Sequence, residues 1–355
     1  MEYTTLDKIS ENLDSKRKPI TSSDRVEGEI PYYGASGIVD YVKDYIFDES
    51  LLLVSEDGAN LLARSTPIAF SVTGKTWINN HAHVLRFSNE NLQKFVEIYL
   101  NSISLESYVT GSAQPKLNQK MLNGIPIPVV DDSQIEIIVN SVENLKSIIE
   151  LRKQELACLD ELIKARFVEM FGDVQHEEKY KGIQLRELCT TMSGGTPSTK
   201  FPEYYEGDIP WISTVSLGPN YIDGTNAKGH ITQEAVDNSA TKLIPAGNIL
   251  FGTRVGVGKS SLNSVDICTN QDIVAIVGID ESKFNRLFIK HVLDAYQPYY
   301  DSIKKGATIL GITGDDLKDT LIPNVPIEIQ IEFEKFVHQV DKSKVVYQGC
   351  SQYIA

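Results

Sequence analysis

An uninterrupted helical stretch between Asp131 and Gly172 constrains the fold of this chain more than any other feature. Neither glycine nor proline occurs from Asp131 to Phe171, and apolar residues recur there alternately three and four positions apart. This spacing predicts the narrow apolar seam of a coiled coil. The seam consists of Ile135, Ile138, Val142, Leu145, Ile149, Leu156, Leu159 and Ile163, with Arg152, Arg166 and Met170 in the same register. At 1.5 Å per residue the helix would be about 60 Å long. It is predicted to be a spacer that packs on another helix; a long core helix of one domain is the alternative.

The second half of the chain repeats the plan of the first half. Residues 185–188 correspond to residues 6–9, GDIPW at 207–211 to GEIPY at 28–32, TNQ at 269–271 to NNH at 79–81, Gly306 to Gly111, and Pro323 and Pro326 to Pro126 and Pro128. A second 3-4 seam then begins, with Ile329, Phe333, Phe336, Val340 and Tyr347 followed by Cys350 and Ile354. Two copies of a domain-then-helix unit indicate internal pseudo-twofold symmetry.

The repeat predicts a division of the chain into four parts. A first domain covers residues 1–130, and a first long helix covers residues 131–172. A second domain covers residues 173–326, and a shorter helix covers residues 327–355. Two helices in one chain can pair antiparallel and bury both seams, and part of the longer seam would stay open for another protein.

Composition restricts the possible partners and the compartment. The chain has 355 residues and a formal net charge of −14, which argues against a protein that coats DNA by bulk electrostatics. Contacts with nucleic acid would have to come from particular loops or from a partner protein. We find no signal peptide and no apolar run long enough to cross a membrane. The four cysteines form no CxxC motif, so we expect reduced thiols and a cytoplasmic protein.

Short motifs in both halves carry a recognisable pattern. The second half contains SGGTPS at 193–198, GDIPWI at 207–212, PAGNIL at 245–250 and TNQ at 269–271. The first half contains IPYYGASG at 30–37, EDGAN at 56–60 and NNH at 79–81. In this order, and together with both helices, the motifs resemble the target recognition domains of the specificity (S) subunit of type I restriction–modification systems. The resemblance covers essentially the whole chain.

The resemblance implies a fold and a function. It implies an α+β protein with two α/β target recognition domains in tandem, each followed by a long helix. The helices would pair as an antiparallel coiled coil and act as a ruler between the halves of a bipartite target in double-stranded DNA. Adenine methyltransferase (M) subunits and a restriction (R) subunit would dock on this scaffold. S-adenosylmethionine, ATP and Mg are expected on those partners, with no cofactor on this chain.

The glycine-rich stretch 252–260 is the first candidate for contact with DNA. It is not a phosphate-binding loop, because Thr253 stands where the first glycine of that motif should be. We interpret it as a hairpin that lets the backbone approach a ligand, with Arg254, Lys259 and Ser260 projecting. Arginine can pair with guanine and lysine with phosphate. A solvated basic turn would have the same residues.

Further candidates come from amide, basic, small and aromatic residues in the motifs. They are Tyr33, Ser36, Arg64, Lys75, Asn79, Asn80, His81, Gln114 and Lys116 in the first half, and Ser193, Thr196, Ser198, Trp211, Asn270 and Gln271 in the second. The amides suit adenine, and loop N–H groups suit phosphate. Each residue also has an ordinary structural explanation, in a turn, a solvated surface or a partly buried ring. His81 and His83 would share a strand face, but no nearby carboxylate completes a metal site, so we predict none.

No catalytic motif occurs in the chain, and the adenine methyltransferase sequences NPPY and DPPY are absent. We therefore expect a non-catalytic protein that binds and positions. A hydrolase with an unrecognised Cys or His site is one alternative. The other is a coiled-coil adaptor that binds proteins without reading DNA, which the acidic charge favours.

Overall fold

The computed structural model describes residues 2–111, 114–175, 179–306 and 309–351, with the side chains of the last helix described as far as Lys344. Two compact units divide at residues 150 and 151. The boundary therefore falls inside the long helix, so that the first half of this helix belongs to the first unit and the second half to the second unit.

The first unit is built mainly of short strands. Its elements are β1 (Tyr3–Thr5), α1 (Leu6–Ile9), β2 (Ser10–Asn12), β3 (Glu27–Gly34), β4 (Gly37–Val42), β5 (Phe47–Asp48), β6 (Leu51–Ser55), α2 (Asn60–Ala63), β7 (Ala69–Val72), β8 (Lys75–Ile78), β9 (Ala82–Phe87), α3 (Glu90–Ser102), α4 (Gln119–Asn123), β10 (Pro126–Pro128) and α5 (Asp132–Phe171). Two four-stranded sheets form, in the orders β2-β9-β6-β7 and β4-β3-β8-β5, and β1 pairs with β10.

The second unit repeats these elements. They are β11 (Gly182–Gln184), β12 (Thr190–Ser193), β13 (Ile209–Ile212), β14 (Tyr221–Ile222), β15 (Gly229–Ile231), α6 (Gln233–Asp237), β16 (Ile249–Gly252), β17 (Ser260–Asn263), β18 (Cys268–Thr269), β19 (Ile273–Val277), α7 (Arg286–Ala295), α8 (Gln297–Ile303), α9 (Gly314–Lys318), β20 (Leu321–Pro323) and α10 (Ile327–Ser351). The sheet orders are β12-β19-β16-β17-β14 and β15-β13-β18, and β11 pairs with β20.

Corresponding elements in the two units form for the same local reasons. β6 and β16 are the interior strands of their sheets, and all their residues are buried, as expected for continuous apolar runs. α3 and α7 each begin after an asparagine cap: Asn89 accepts a hydrogen bond from the amide of Leu92, and Asn285 accepts one from the amide of Phe288. The predicted repeat is therefore present in the strand orders and in the helix caps.

The predicted seam of α5 is buried only near its ends. Ile135 and Ile163 are buried, whereas Leu145 is 43% exposed and Ile149 is 39% exposed. Ile138, Val142, Leu156 and Leu159 are half-buried. The middle of the seam is therefore open, and part of the longer seam was predicted to stay open. Each end is buried because it packs on the core of its own unit.

Near its C-terminus α5 contacts α10 within the second unit. The ring of Phe333 lies 5.5 Å from the rings of both Phe167 and Phe171, and all three side chains are buried. Arg166 forms an ion pair with Glu332 at 3.1 Å, and Lys344 pairs with Asp160 at 2.6 Å. Residue numbers fall along α5 as they rise along α10, so the two helices run antiparallel over these contacts.

The predicted seam residues of α10 whose side chains are described are buried or half-buried. Phe333 and Val340 are buried, Ile329 and Phe336 are half-buried, and Val337, which the prediction omitted, is fully buried. The predicted seam residues Tyr347, Cys350 and Ile354 lie outside the described side chains. Continuous pairing of α5 and α10 remains a prediction.

No helix in the described part of the chain combines the length and the apolar character needed to cross a membrane.

Candidate nucleic-acid interface

Four loops of the first unit converge beside the ends of β6 and β9. The hydroxyl of Ser55 donates to the carbonyl of Ala35 in the β3–β4 turn at 2.5 Å. The amide of Glu56 donates to the carbonyl of His81 at 2.9 Å, and the amide of Leu117 donates to the carbonyl of Glu56 at 2.8 Å. Sequence segments far apart therefore form one continuous loop surface.

Four loops of the second unit converge in the same way. The amide of Thr253 donates to the carbonyl of Asp272 at 2.8 Å, and the amide of Ile312 donates to the carbonyl of Thr253 at 2.9 Å. The amide of Gly195 donates to the carbonyl of Thr269 at 2.8 Å and brings the loop at 193–198 to the same place. The two units thus present equivalent loop clusters that share two backbone hydrogen bonds: Thr253 to Asp272 matches Glu56 to His81, and Ile312 to Thr253 matches Leu117 to Glu56.

These hydrogen bonds correct the alignment of the repeat by one residue. The amide of Asn79 donates to the carbonyl of Tyr33 at 3.0 Å, and the amide of Asn270 donates to the carbonyl of Ile212 at the same distance. Asn270 therefore corresponds to Asn79, whereas the sequence motifs had aligned it with Asn80. It follows that Asp272 corresponds to His81, and each residue directly precedes an interior strand, β19 or β9.

Most of the predicted polar contact residues lie on the surface of these clusters. Those with exposed side chains are Ser36, Lys75, Asn80, His81, Gln114, Lys116, Ser193, Thr196, Ser198, Arg254, Lys259 and Gln271. Thr196 donates its hydroxyl proton to the side-chain carbonyl of Gln271 at 2.5 Å, which joins two of the predicted residues directly. Both clusters can therefore offer hydrogen-bond donors and acceptors to a nucleic acid.

Two other predicted contact residues are buried, as the structural explanation of Trp211 predicted and contrary to the expectation for Ser260. Trp211 is 8% exposed, and its indole N–H donates to the carbonyl of Gly195 at 3.1 Å. Ser260 is 1% exposed, and its hydroxyl donates to the carboxylate of Asp294 at 2.6 Å. These side chains hold loops and helices in place because their polar atoms are consumed inside the fold.

The two equivalent asparagines are also structural. Asn79 is 7% exposed, and its side-chain oxygen accepts the amide of His81 at 2.8 Å. Asn270 is 9% exposed, and its side-chain nitrogen donates to Asp272 at 3.2 Å. This is the turn-forming role that competed with adenine recognition at the level of sequence. Tyr33 is half-buried, with its ring 6.1 Å from that of Phe70, so it too faces partly inward.

Arg64 is a helix cap and not a free basic side chain. It has a left-handed backbone (φ 52°), and its guanidinium donates to the carbonyl of Leu100 at 3.3 Å and also to the carbonyl of Ile103, at the C-terminus of α3. Burial lowers the pKa of this guanidinium. Its charge satisfies backbone carbonyls that would otherwise lack partners.

The two histidines near β9 have separate environments, and nearby carboxylates contradict the expectation that none would be present. His81 is exposed, and its Nδ1 lies 2.9 Å from Asp57. His83 is buried, and its side chain can share a metal ion with Asp14 and Glu56, since their ligand atoms lie within 4.8 Å of one another.

Two cations already neutralise the cluster around His83. Arg17 lies 2.6 Å from Glu56 and 3.5 Å from Asp14, and Lys116 lies 3.1 Å from Glu56. Burial raises the pKa of Glu56, but the hydrogen bond from Arg17, with His83, Lys116 and the Arg17 charge, outweighs it and lowers the pKa overall. The arrangement is an ion-pair network that braces the loops.

Sequence reasoning missed the acidic partners of the exposed basic residues. Asp57 contacts His81, and Asp272 lies 3.5 Å from Arg254 in an ion pair. Asp57 belongs to the EDGAN motif at 56–60 but was not among the predicted contact residues, and neither was Asp272. The corrected alignment of the two halves would have identified both, because each acid stands opposite a basic residue of the other copy.

Comparison with known proteins gives one consistent family. The model of the type I restriction modification DNA specificity domain matches residues 1–161 and 177–346. A putative type I restriction enzyme specificity subunit of Haemophilus influenzae is 27% identical over 99% of this chain and 90% of its own length.

Solved structures show the same fold. The S subunit of a type I restriction–modification system from M. genitalium has a TM-score of 0.55, with 14% identity over 98% of this chain and 91% of that one. A chain from a study of complex assembly and conformational transition of the type I R-M system has a TM-score of 0.56. It is 15% identical, and the match covers 99% of this chain and 92% of the other chain. The match to the family model does not favour an adaptor that lacks DNA readout.

Proposed function

The chain belongs to the type I restriction modification DNA specificity family, and from this premise we propose that each of its domains reads one half of a bipartite DNA target. It is a DNA sequence-specificity subunit without catalytic activity of its own. One observation carries the bipartite proposal: the two units build equivalent loop clusters that share two backbone hydrogen bonds but display different exposed side chains. Equal scaffolds with unequal side chains are suited to reading two different sequences.

The exposed residues divide by chemistry into two proposed roles. Lys75 and Lys259 provide point charges for phosphate contacts, which supply affinity and position the protein. Arg254, Gln271, Asn80 and His81 carry donors and acceptors that match the edges of bases in the major groove. Because the chain has a net charge of −14, these contacts have to be local to the loop surfaces.

Partner subunits complete the proposed activity. Adenine methyltransferase subunits would bring S-adenosylmethionine and flip the target adenine, and a restriction subunit would bring ATP and Mg. The exposed apolar residues Leu145 and Ile149 on α5 support a docking role for this helix, since a solvated helix rarely repeats exposed aliphatic side chains at seam spacing. A relative from a study of complex assembly in the type I system is consistent with this proposal.

A genome-wide map of N6-methyladenine tests the proposal. Cells would produce this chain together with the adenine methyltransferase (M) subunit of its own system, and the expected result is methylation at one split motif. Production of the methyltransferase subunit alone is the control. Methylation that does not depend on this chain, in cells where both proteins are folded, would contradict the specificity role.

A further inference from the structure

One ion pair occurs at equivalent positions of the two loop clusters with its charges exchanged. In the first unit the acid, Asp57, follows the β6 end and the base, His81, precedes β9. In the second unit the base, Arg254, follows the β16 end and the acid, Asp272, precedes β19. The backbone hydrogen bonds described above establish this correspondence independently of the side chains.

The exposure of the four side chains follows their charge and not their position. The basic side chains are 50% exposed for His81 and 55% for Arg254. The acidic side chains are 17% exposed for Asp57 and 15% for Asp272. In each unit a shielded carboxylate therefore lies against an exposed basic group. The basic group is in the loop before β9 in the first unit and in the loop after β16 in the second.

An arginine held in this way is suited to guanine. The carboxylate of Asp272 lies 3.5 Å from one terminal nitrogen of Arg254, and the exposed part of the planar guanidinium keeps further N–H donors. Two parallel donors match O6 and N7 of guanine, and a guanidinium restrained by an ion pair loses less freedom when it binds than an unpaired one. Asn270 donates to the same carboxylate at 3.2 Å and fixes its position in turn.

The histidine offers the opposite hydrogen-bonding polarity. Its Nδ1 lies 2.9 Å from Asp57, and because an ionised carboxylate only accepts, this nitrogen carries the proton. In the neutral form of the ring, Nε2 is then an acceptor. The base edges that donate in the major groove are the amino groups of adenine and cytosine.

We propose that these exchanged pairs set the base preference at equivalent positions of the two half-sites: Arg254, oriented by Asp272, reads a guanine in the second half-site, and His81, oriented by Asp57, reads an adenine or cytosine in the first. The inference rests on the proposed function and adds to it the identity of one discriminating residue in each domain. Asp57 and Asp272 are positioning residues that act through their basic partners.

The experiment uses the full chain in complex with its methyltransferase subunit and double-stranded DNA with randomised positions. Bound sequences are selected at neutral pH and sequenced for the wild type and for Arg254→Lys, which keeps the charge but loses the two-pronged donor. The expected result is a 10- to 100-fold weaker preference for guanine at one position of the second half-site. The first half-site, read by the other domain, should be unchanged and reports that the variant is folded.

A matched control separates base reading from phosphate binding. Lys259→Ala removes another exposed cation of the same hairpin and should weaken binding to all sequences alike, with a smaller dependence on salt. If Arg254→Lys and the wild type show the same preference for guanine in the second half-site, the inference is overturned and the proposed function still stands. A wild-type complex that selects no sequence at all would overturn the proposed function itself.

An exchange variant tests the first unit and keeps its charges opposite. Asp57→Arg combined with His81→Asp gives this unit the arrangement of the second. The expected result is a change from adenine or cytosine to guanine at one position of the first half-site. Retention of the wild-type base there, with the second half-site still selected, would overturn the assignment for His81.

Discussion

His83 and Asp14 form a buried pair in the first unit, with Nδ1 of the imidazole 2.6 Å from Oδ2 of the carboxylate. Nε2 of the same ring lies 2.7 Å from the carbonyl of Leu117. Both ring nitrogens therefore face acceptors. The pair connects the segment before β3, the interior strand β9 and the loop that ends at Leu117, so the candidate DNA surface rests on it.

The first prediction concerns acid stability. Burial raises the pKa of Asp14, but the hydrogen bond and charge of His83, with the Val84 amide and Arg17, outweigh it and lower the pKa overall. A carboxyl whose folded pKa is lowered stabilises the fold above its unfolded value of about 3.9, and this contribution is lost as the pH falls through the folded value. We expect Asp14→Asn to cost about 1–3 kcal/mol at pH 7 and progressively less below pH ~4.

Urea denaturation at a series of pH values measures this effect. The exposed Asp44→Asn is the matched control and should change the free energy of unfolding by less than about 0.5 kcal/mol. A difference between Asp14→Asn and the wild type that stays constant from pH 7 to pH 3 would contradict the assigned role of the pair.

The second prediction concerns the contact between α5 and α10. Phe333 is fully buried between the rings of Phe167 and Phe171. Phe333→Ala should lower the free energy of unfolding by about 3–5 kcal/mol, because it leaves a cavity lined by aromatic rings. Ile331→Ala, at a position on the same helix that is 37% exposed, is the control and should have a much smaller effect. Thermal unfolding compares the two, and equal shifts would disprove the packing argument.

The third prediction separates a structural arginine from a DNA-binding lysine. Arg64→Ala removes donors to the carbonyls of Leu100 and Ile103 and should cost about 1–3 kcal/mol of stability. The salt dependence of DNA binding should not change, because the guanidinium is occupied. Lys75→Ala, at an exposed position, should leave stability unchanged and reduce the slope of log K against log salt by about 1. The reverse pattern would restore Arg64 as a contact residue.

The fourth prediction concerns thiol reactivity. Burial raises the pKa of Cys268 to about 11, and its side chain is fully buried, whereas Cys158 on α5 is exposed. Because the thiolate is the reactive form, a maleimide at pH 7 should modify Cys158 in the folded chain and Cys268 only in urea. Peptide mapping by mass spectrometry gives the extent of reaction at each site. Rapid labelling of Cys268 without denaturant would show that β18 is accessible.

Several features of the site could be predicted because they depend on local sequence. The glycine-rich segment before β17 predicted a turn that exposes Arg254 and Lys259, and both side chains are exposed. The motif containing Asn79 was predicted to recur in the second half, and Asn270 occupies the equivalent position there. Its asparagine could not be assigned, since the same side chain can form a turn or read a base, and only the hydrogen bond to the His81 amide decided between them.

Burial could not be predicted from residue type alone. Trp211 and Ser260 look like contact residues in the motifs, but their polar atoms bond to Gly195 and Asp294, which are distant in sequence. Arg64 looks like a free cation in the sequence, because the carbonyls that it contacts, those of Leu100 and Ile103, are also distant in sequence. Whether such a polar group faces solvent depends on which segments the fold brings against it.

The sequence by itself determined the repeat and the long helix, because these follow from periodic apolar residues and from short motifs that recur in the same order. Helix α5 was predicted at residues 131–172 and is observed at Asp132–Phe171. Tertiary structure alone decided which parts of its seam are covered and which carboxylate faces His81 or Arg254. The physical reason is that burial and ion pairing are properties of segments brought together across the chain, and neither is encoded in the spacing of neighbouring residues.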